Sequence, residues 1–481
     1  MSPRARGAAA VFAGALLARL ALILAFPAVH GGDSVARLAH SDTLLLAYQL
    51  PLPQAVVVAV RAFWPDPFWT RLVFALFGAG VAASLAAVVW RLSGPGAGWA
   101  AGALAATHPL LVYYSIVPYQ EGPMLLLLLL GADLLLAGRD VPAGIVLGLA
   151  SLCRYEAWIA GALVLAWKVA RARTWRGRAR AMALFAWAPL AWMALWRGLG
   201  PPGTYVLDFE TGAGWLSRLG FLAAKLRDYS GWPLLALAGA GLAVVARRSD
   251  ARWLAGLGYV TLVVASVVVA GHEAPPGSGH VSERLAHLPA LAACALAGLA
   301  VATAARAAPS AARPLARLAA ALLVAALAVA GLRAARAQTA VAGSEPSLRL
   351  AVEVARFVEP RLAAHDRLGV AAPPVPAAAI EDYVRKVHSA GGDVEAARRI
   401  GRELAGRSVD ADRLAAHLAR PPSAVVTSAD ARPALVAVYD DAPAGAPWPL
   451  GRALARFTAG TRGVTVYLPA GAASPGANPT R

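Results

Sequence analysis

The sequence predicts a polytopic α-helical membrane protein of about 11 transmembrane helices, followed by a small C-terminal α/β domain outside the membrane. Three observations predict it. Of 481 residues, 58% are hydrophobic and only 15% charged, where soluble domains carry roughly a quarter. The apolar residues gather in windows long enough to cross a bilayer. The composition then changes: charged residues are about 12% before residue 333 and about 22% after it. The chain therefore divides into a membrane domain, 1–334, and an attached domain, 335–481. Such a composition excludes a disordered chain, a disulfide miniprotein and an ordinary cytosolic enzyme.

The apolar windows fall at 8–29, 69–90, 97–116, 120–137, 181–199, 232–246, 253–271, 284–304 and 315–334. The first is long enough to span and reads as a signal anchor. Segment 142–169 is too long for one simple span and carries Arg154-Tyr155-Glu156 at its middle. A charge at mid-bilayer costs about 2.5–3.5 kcal/mol on insertion scales. Two shorter helices, 142–153 and 157–169, meeting at an aqueous face avoid that cost.

Sidedness follows from basic residues in short loops. With the N-terminus inside, inner segments hold sixteen Lys and Arg, from Arg4 to Arg317, but only Asp140 and Asp250 as acids. Outer segments hold Asp33, Asp42, Asp66, Glu121, Glu156, Asp208, Glu210, Asp228, Glu273 and Glu283. The net charge of +18 is thus explained by topology, and no nucleic-acid partner is expected. The chain is expected in a bacterial cytoplasmic (inner) membrane, and the pattern places the C-terminal domain outside. Cys153 and Cys294 sit in apolar surroundings and offer neither a disulfide framework nor metal spacing.

The chemistry-bearing residues lie in the outer turns. Asp33, Arg37 and His40 are spaced i, i+4, i+7, one face of a helix, with Asp42 just beyond. Asp33 is suited to general-base work at a membrane surface, and Asp33 or Ser34 is also a candidate helix cap. Glu121 opens the fourth window, where a helix N-terminus favours an acid; it is equally a second carboxylate facing the first. Arg154, beside Tyr155 and Glu156, is either a local ion pair or a fork for an anionic headgroup. Glu283 and Arg284 stand at the start of a span, with His287 one turn on. An arginine there opposes the helix dipole unless an anion offsets it. The His and Glu residues of 272–287 match no zinc spacing.

Four segments together resemble the GT-C fold glycosyltransferases that use polyprenyl-phosphate-linked sugars, the superfamily of protein O-mannosyltransferases and the lipid A aminoarabinose transferase. They are Gly32-Asp33-Ser34 with Leu50-Pro51-Leu52-Pro53; His108-Pro109 through Tyr114-Ser115 to Glu121; Gly148 through Arg154-Tyr155-Glu156-Ala157; and Glu283-Arg284-Leu285 followed by Pro289. The resemblance covers roughly residues 1–300 and rests on the order and sidedness of short motifs. It implies that Asp33 and Glu121 are catalytic, that Arg154 and Arg284 hold the donor phosphate, and that Arg37, His40, Asp42, Tyr155, Glu156, Glu283 and His287 support them. It implies a polyprenyl-phosphate sugar donor, a glycan, lipid or protein acceptor, and inversion at the sugar carbon. No cofactor is called for; a divalent cation shared by the paired acids is compatible with the pattern. Two departures stand out. Ser34 follows Asp33 where many members have a second acid, and Leu285 follows Arg284 where an aromatic residue is usual. They leave subfamily, metal and sugar open.

The alternative expectation is a transporter or lipid flippase of envelope biogenesis. It is opposed by acids at outer turns rather than at the bilayer midplane, and by the lack of an internal repeat. In the C-terminal domain, helices are expected at 347–363, 376–389, 393–406 and 410–419. Strands are expected at 368–371, 424–427, 434–438 and 464–468.

Overall fold

The structure is a computed structural model. It describes residues 2–44, 50–199, 214–270, 282–363, 365–372, 381, 385, 408–421, 424–427, 433–442 and 447–470. The expected helices 376–389 and 393–406 lie almost wholly outside these residues. The outer acids Asp208, Glu210 and Glu273, with His272 and His280, lie outside them altogether.

The chain is mostly helical. Among the described residues, six helices are long and apolar enough to cross a membrane, and shorter apolar helices pack among them. In chain order they are α1 (Pro3–Ala25), α2 (Gly32–Ala39), α3 (Pro51–Phe63), α4 (Pro67–Ser93), α5 (Pro95–Thr107), α6 (Pro109–Tyr113), α7 (Glu121–Leu136), α8 (Asp140–Ser151), α9 (Glu156–Arg171), α10 (Trp175–Phe185), α11 (Trp187–Leu199), α12 (Trp215–Arg248), α13 (Ala251–Ala270), α14 (His287–Ala307) and α15 (Arg313–Gly343). The split of 142–169 is present: α8 ends at Ser151 and α9 starts at Glu156, with Arg154 in the turn between them.

The bundle centre is built on small residues. α1, α4, α5 and α14 meet through fully buried Ala15, Ala79, Ala82, Ala97, Ala101 and Ala297. Small side chains let helix backbones approach closely where lipid supplies no hydrophobic drive between helices. α15 has the opposite character. Its apolar window is 0% buried in the chain, as suits a helix whose neighbours are lipid tails.

Two interruptions shape the end of the bundle that carries the site. Pro109 begins α6 directly after His108, so the single window 97–116 becomes two helices. The carbonyls exposed by this break are met by Arg19 of α1, which is 0% exposed. It donates to the Ala106 carbonyl at 3.0 Å and to Ser115 Oγ at 2.7 Å. A buried arginine without a carboxylate thus satisfies backbone that a proline has unpaired. In α12, Gly231 at φ 70° breaks the helical path two residues before Pro233, so residues 215–230 run separately from the apolar half 232–248.

Beyond α15 the chain forms α16 (Pro346–Val358) and a five-stranded mixed sheet. Its strands are β1 (Leu368–Ala371), β2 (Val425–Val426), β3 (Leu435–Tyr439), β4 (Leu450–Ala459) and β5 (Arg462–Pro469), in the order β2-β1-β3-β5-β4. β1 runs parallel to β2 and β3, while β5 runs antiparallel to β3 and β4. A helix, α17 (Val409–His417), packs beside α16. The core holds Leu350, Val354, Val358, Leu368, Leu414, Leu435 and Val464. β4 has no counterpart among the expected strands. It is an edge strand with a mostly exposed face, and its register shifts twice between Leu450 and Ala455. That erases the two-residue alternation by which a strand is read.

Candidate active site

The site assembles at one end of the bundle from four separate segments. α2 contributes Asp33 and Arg37. The N-terminus of α7 contributes Glu121. The α8–α9 turn contributes Arg154 and Glu156. The short 3₁₀ turn Glu283–Ala286, which leads into α14, contributes Glu283 and Arg284.

α2 begins after Gly31, whose φ is 83°. A Cβ there would collide with the Tyr119 hydroxyl, so this left-handed residue and the close ring together require glycine. Asp33 lies in the first turn of α2, but no side-chain cap bond is made there. Its carboxylate accepts instead from Arg284 Nη1. The capping reading of Asp33 is therefore corrected: the acid is drawn off its own helix by a cation 251 residues away.

Arg284 also approaches Glu121, Nε to Oε1 at 3.7 Å, and its guanidinium lies 5.6 Å from the Tyr119 ring centre. Glu121 is 2% exposed and accepts from Arg154 Nη1. Arg154 in turn holds Glu156, Nε to Oε1 at 2.9 Å and Nη2 to Oε1 at 2.5 Å. The local and the long-range readings of Arg154 therefore both apply. The result is one row of alternating charge: Asp33, Arg284, Glu121, Arg154, Glu156. Each arginine lies between two carboxylates, which buried charges require.

Arg37 lies beside this row. It is 0% exposed and donates from Nη2 to Gln120 Oε1 at 2.7 Å. Its Nε and Nη1 have no hydrogen-bond partner among the described residues, nor has Glu121 Oε2. Burial pulls the Arg37 guanidinium down to about 10, opposed by the charges of Asp33 and Glu121. It remains a cation at neutral pH, with donor capacity unspent.

The other expected residues distribute as follows. Glu283 accepts from the Tyr114 hydroxyl at 2.8 Å and lies 3.4 Å from Lys225 Nζ. His287 donates from Nδ1 to the Arg284 carbonyl and sits edge-on to Tyr114 at 5.1 Å. Tyr155 packs edge-on against Trp158 at 5.2 Å. His40 and Asp42 do not join the row. His40 turns to Asp412 of α17 at 3.7 Å, and Asp42 is exposed beyond α2. Among the described residues no group of three His, Cys, Asp or Glu side chains could hold a metal ion.

Sequence reasoning missed Lys225, Gln120 and Tyr119. Lys225 carried a signal: it is one of three lysines in a chain otherwise basic through arginine. It lies on the 215–230 segment, whose Arg, Lys and Asp residues set it apart from a span.

At the opposite end of the bundle, Asp133 of α7 binds Arg4 of α1 at 2.6 Å and Arg91 of α4 at 2.9 Å. Lys168 of α9 binds Asp140 of α8 at 2.6 Å. The acid-rich and arginine-rich ends are thus separated along the helix axes.

This architecture is the GT-C fold. Two solved structures that share it are those of ArnT from Cupriavidus metallidurans. The apo state aligns with a TM-score of 0.56 at 14% identity, over 93% of this chain and 96% of that one. The structure bound to undecaprenyl phosphate aligns with a TM-score of 0.54 at 14% identity, over 95% and 97%. No protein-family model and no curated protein sequence matches the chain. At such identity the likeness is one of fold.

Proposed function

We propose that this protein is a glycosyltransferase that moves a sugar from a polyprenyl-phosphate-linked donor to an acceptor at the outer face of the cytoplasmic membrane, with inversion at the sugar carbon. The observation that carries the reading is the row from Asp33 to Glu156. Acids and arginines from four distant segments gather at one end of a membrane bundle. The shared fold supports it, since one of the ArnT structures is bound to undecaprenyl phosphate.

The chemistry follows from the row. An enzyme facing outward meets no nucleotide-sugar pool, so its activated sugar arrives on a lipid. As the glycosidic bond breaks, charge grows on the departing phosphate. Arg284 and Arg154 stabilise that charge, and Arg37 adds its unspent donors. Preorganised groups of this kind contribute about 10²–10³ each in rate. Asp33 takes the acceptor proton and Glu121 assists. Asp33 is bound to Arg284, so a phosphate taken up by Arg284 competes with Asp33. Donor binding thereby releases the base towards the acceptor. Residues 1–334 form the catalytic domain in this reading, and residues 335–481 lie outside the membrane.

The test is incubation of the purified protein with a panel of labelled polyprenyl-phosphate sugars and candidate acceptors. The expected result is free polyprenyl phosphate and a sugar transferred with the opposite anomeric configuration. If no donor turns over, while proteoliposomes containing the protein move lipid-linked sugar across the bilayer, the chain is a flippase instead.

A further inference from the structure

An eight-residue helix cannot hold its own shape or direction, because nucleation costs more than so few hydrogen bonds return. α2, which carries Asp33 and Arg37, is such a helix, and it follows the left-handed Gly31. Its rigidity has to come from outside itself.

The C-terminal domain supplies it. We propose that this domain is a positioning element for the site: α17 seats along α2, and His417 and Arg61 pin the two together so that Asp33 and Arg37 point at the charged row.

Three contacts carry this. His417, the last residue of α17, accepts on Nε2 from the Val29 backbone N–H at 2.9 Å, four residues before Asp33. Its Nδ1 lies 2.6 Å from the Arg413 carbonyl. A carbonyl only accepts, so Nδ1 bears the proton and Nε2 is free to receive Val29. Arg61 of α3 is 6% exposed and reaches both partners. It donates to the Leu38 carbonyl of α2 at 3.4 Å, and to the carbonyls of Leu418 and Arg420, just past α17, at 3.0 and 2.6 Å. Between these pins Ala416 is fully buried in one apolar cluster with Val29, Val35 and Leu38. His40 and Asp412 add a polar contact at 3.7 Å. Arg420 anchors the same stretch back onto its own domain through the carbonyls of Leu362 and Ala363 at 2.5 and 2.6 Å.

The pin is sensitive to acid. Burial holds the His417 imidazole down to about 4, opposed by its bond to the Arg413 carbonyl and aided by the nearby charges of Arg71 on α4 and Arg61 on α3. Protonated Nε2 cannot accept from Val29. A histidine whose folded value lies below its ordinary 6.5 contributes fully above about 6.5, and the contribution is lost as pH falls towards 4.

The role in transfer rests on the proposed function; the mechanical claim does not. The experiment therefore reads amide exchange and activity on the full-length protein. In His417→Ala, exchange across residues 32–39 is expected to rise about five- to tenfold, the worth of one lost hydrogen bond. β1, β3 and β5 stay protected. His417→Gln, whose amide oxygen accepts from Val29, restores protection and keeps it from pH 7 to pH 5, a range over which the native protein loses part of it. Arg61→Met, outside the C-terminal domain, loosens 32–39 as well, which decides the matter if His417→Ala unfolds that domain. On the activity side, kcat falls in His417→Ala and recovers in His417→Gln, while donor KM moves less. Unchanged exchange across 32–39 in both His417→Ala and Arg61→Met overturns the proposal. Raised exchange with no transferase activity in any form leaves the clamp standing and removes the enzyme reading.

Discussion

Asp33→Asn is expected to lower transfer by about 10²–10⁴-fold, the usual contribution of a positioned general base. The asparagine keeps the shape but cannot take a proton. Its second consequence is less obvious. Asp33 pairs with Arg284, and the neutral amide competes with phosphate far less well. Donor KM should therefore fall while kcat falls. A residue that only braced α2 would raise KM or leave it unchanged. Steady-state transfer with labelled donor reads both parameters, and an unaltered kcat would remove Asp33 from the chemistry. Arg284→Ala gives the mirror image: donor binding weakens and kcat drops too, because the growing phosphate charge loses a partner.

Arg154→Met is expected to cost about 3–5 kcal/mol of stability, the usual penalty for removing one partner of a buried pair. Arg154 serves two carboxylates at once. Glu121 is 2% exposed and Glu156 15% on their side chains, so neither gains enough water to replace the guanidinium. The measurement is the thermal-unfolding midpoint of purified protein, read beside activity. Adding Glu156→Gln should recover part of the midpoint, because the carboxylate that Arg154 alone serves in the row is then neutral, while activity stays lost. A midpoint equal to that of the native protein would show that the pairs contribute nothing to the fold.

Part of this site was legible in the sequence. The turn at 152–155 was forced by cost: a charged triplet does not sit inside a continuous span. The gathering of Asp33, Glu121, Arg154 and Arg284 was expected once the basic loops were read as one side of the membrane, which puts all four in turns on the other. The resemblance to GT-C enzymes rested on the same four segments, and the fold agrees with it. Pairings across the chain were not legible. Nothing local marks Asp412 as the partner of His40, Gln120 as the partner of Arg37, or Lys225 as the neighbour of Glu283. Such contacts depend on how helices cross, and hydropathy does not record crossing angles. Asp33 was ambiguous because a cap and a base need the same residue type at the same place; its bond to Arg284 removes the cap and leaves the base a proposal. The spans were blurred for a related reason. Pro109 and Gly231 break helices inside apolar stretches, and an averaged window passes over both.

The row of five charges has a consequence for how substitutions combine. Each inner member is shared by two neighbours, so weakening one link frees its partner to tighten on the next. Glu156→Gln leaves Arg154 to Glu121 alone, which loosens the hold of Glu121 on Arg284 and hence strengthens Arg284 on Asp33. Changes at the two extremities, though they never touch, should fail to add in a double-mutant cycle, by about 0.5–3 kcal/mol. The site would then answer a disturbance as a single polarised wire, with the pull on one terminus felt at the other.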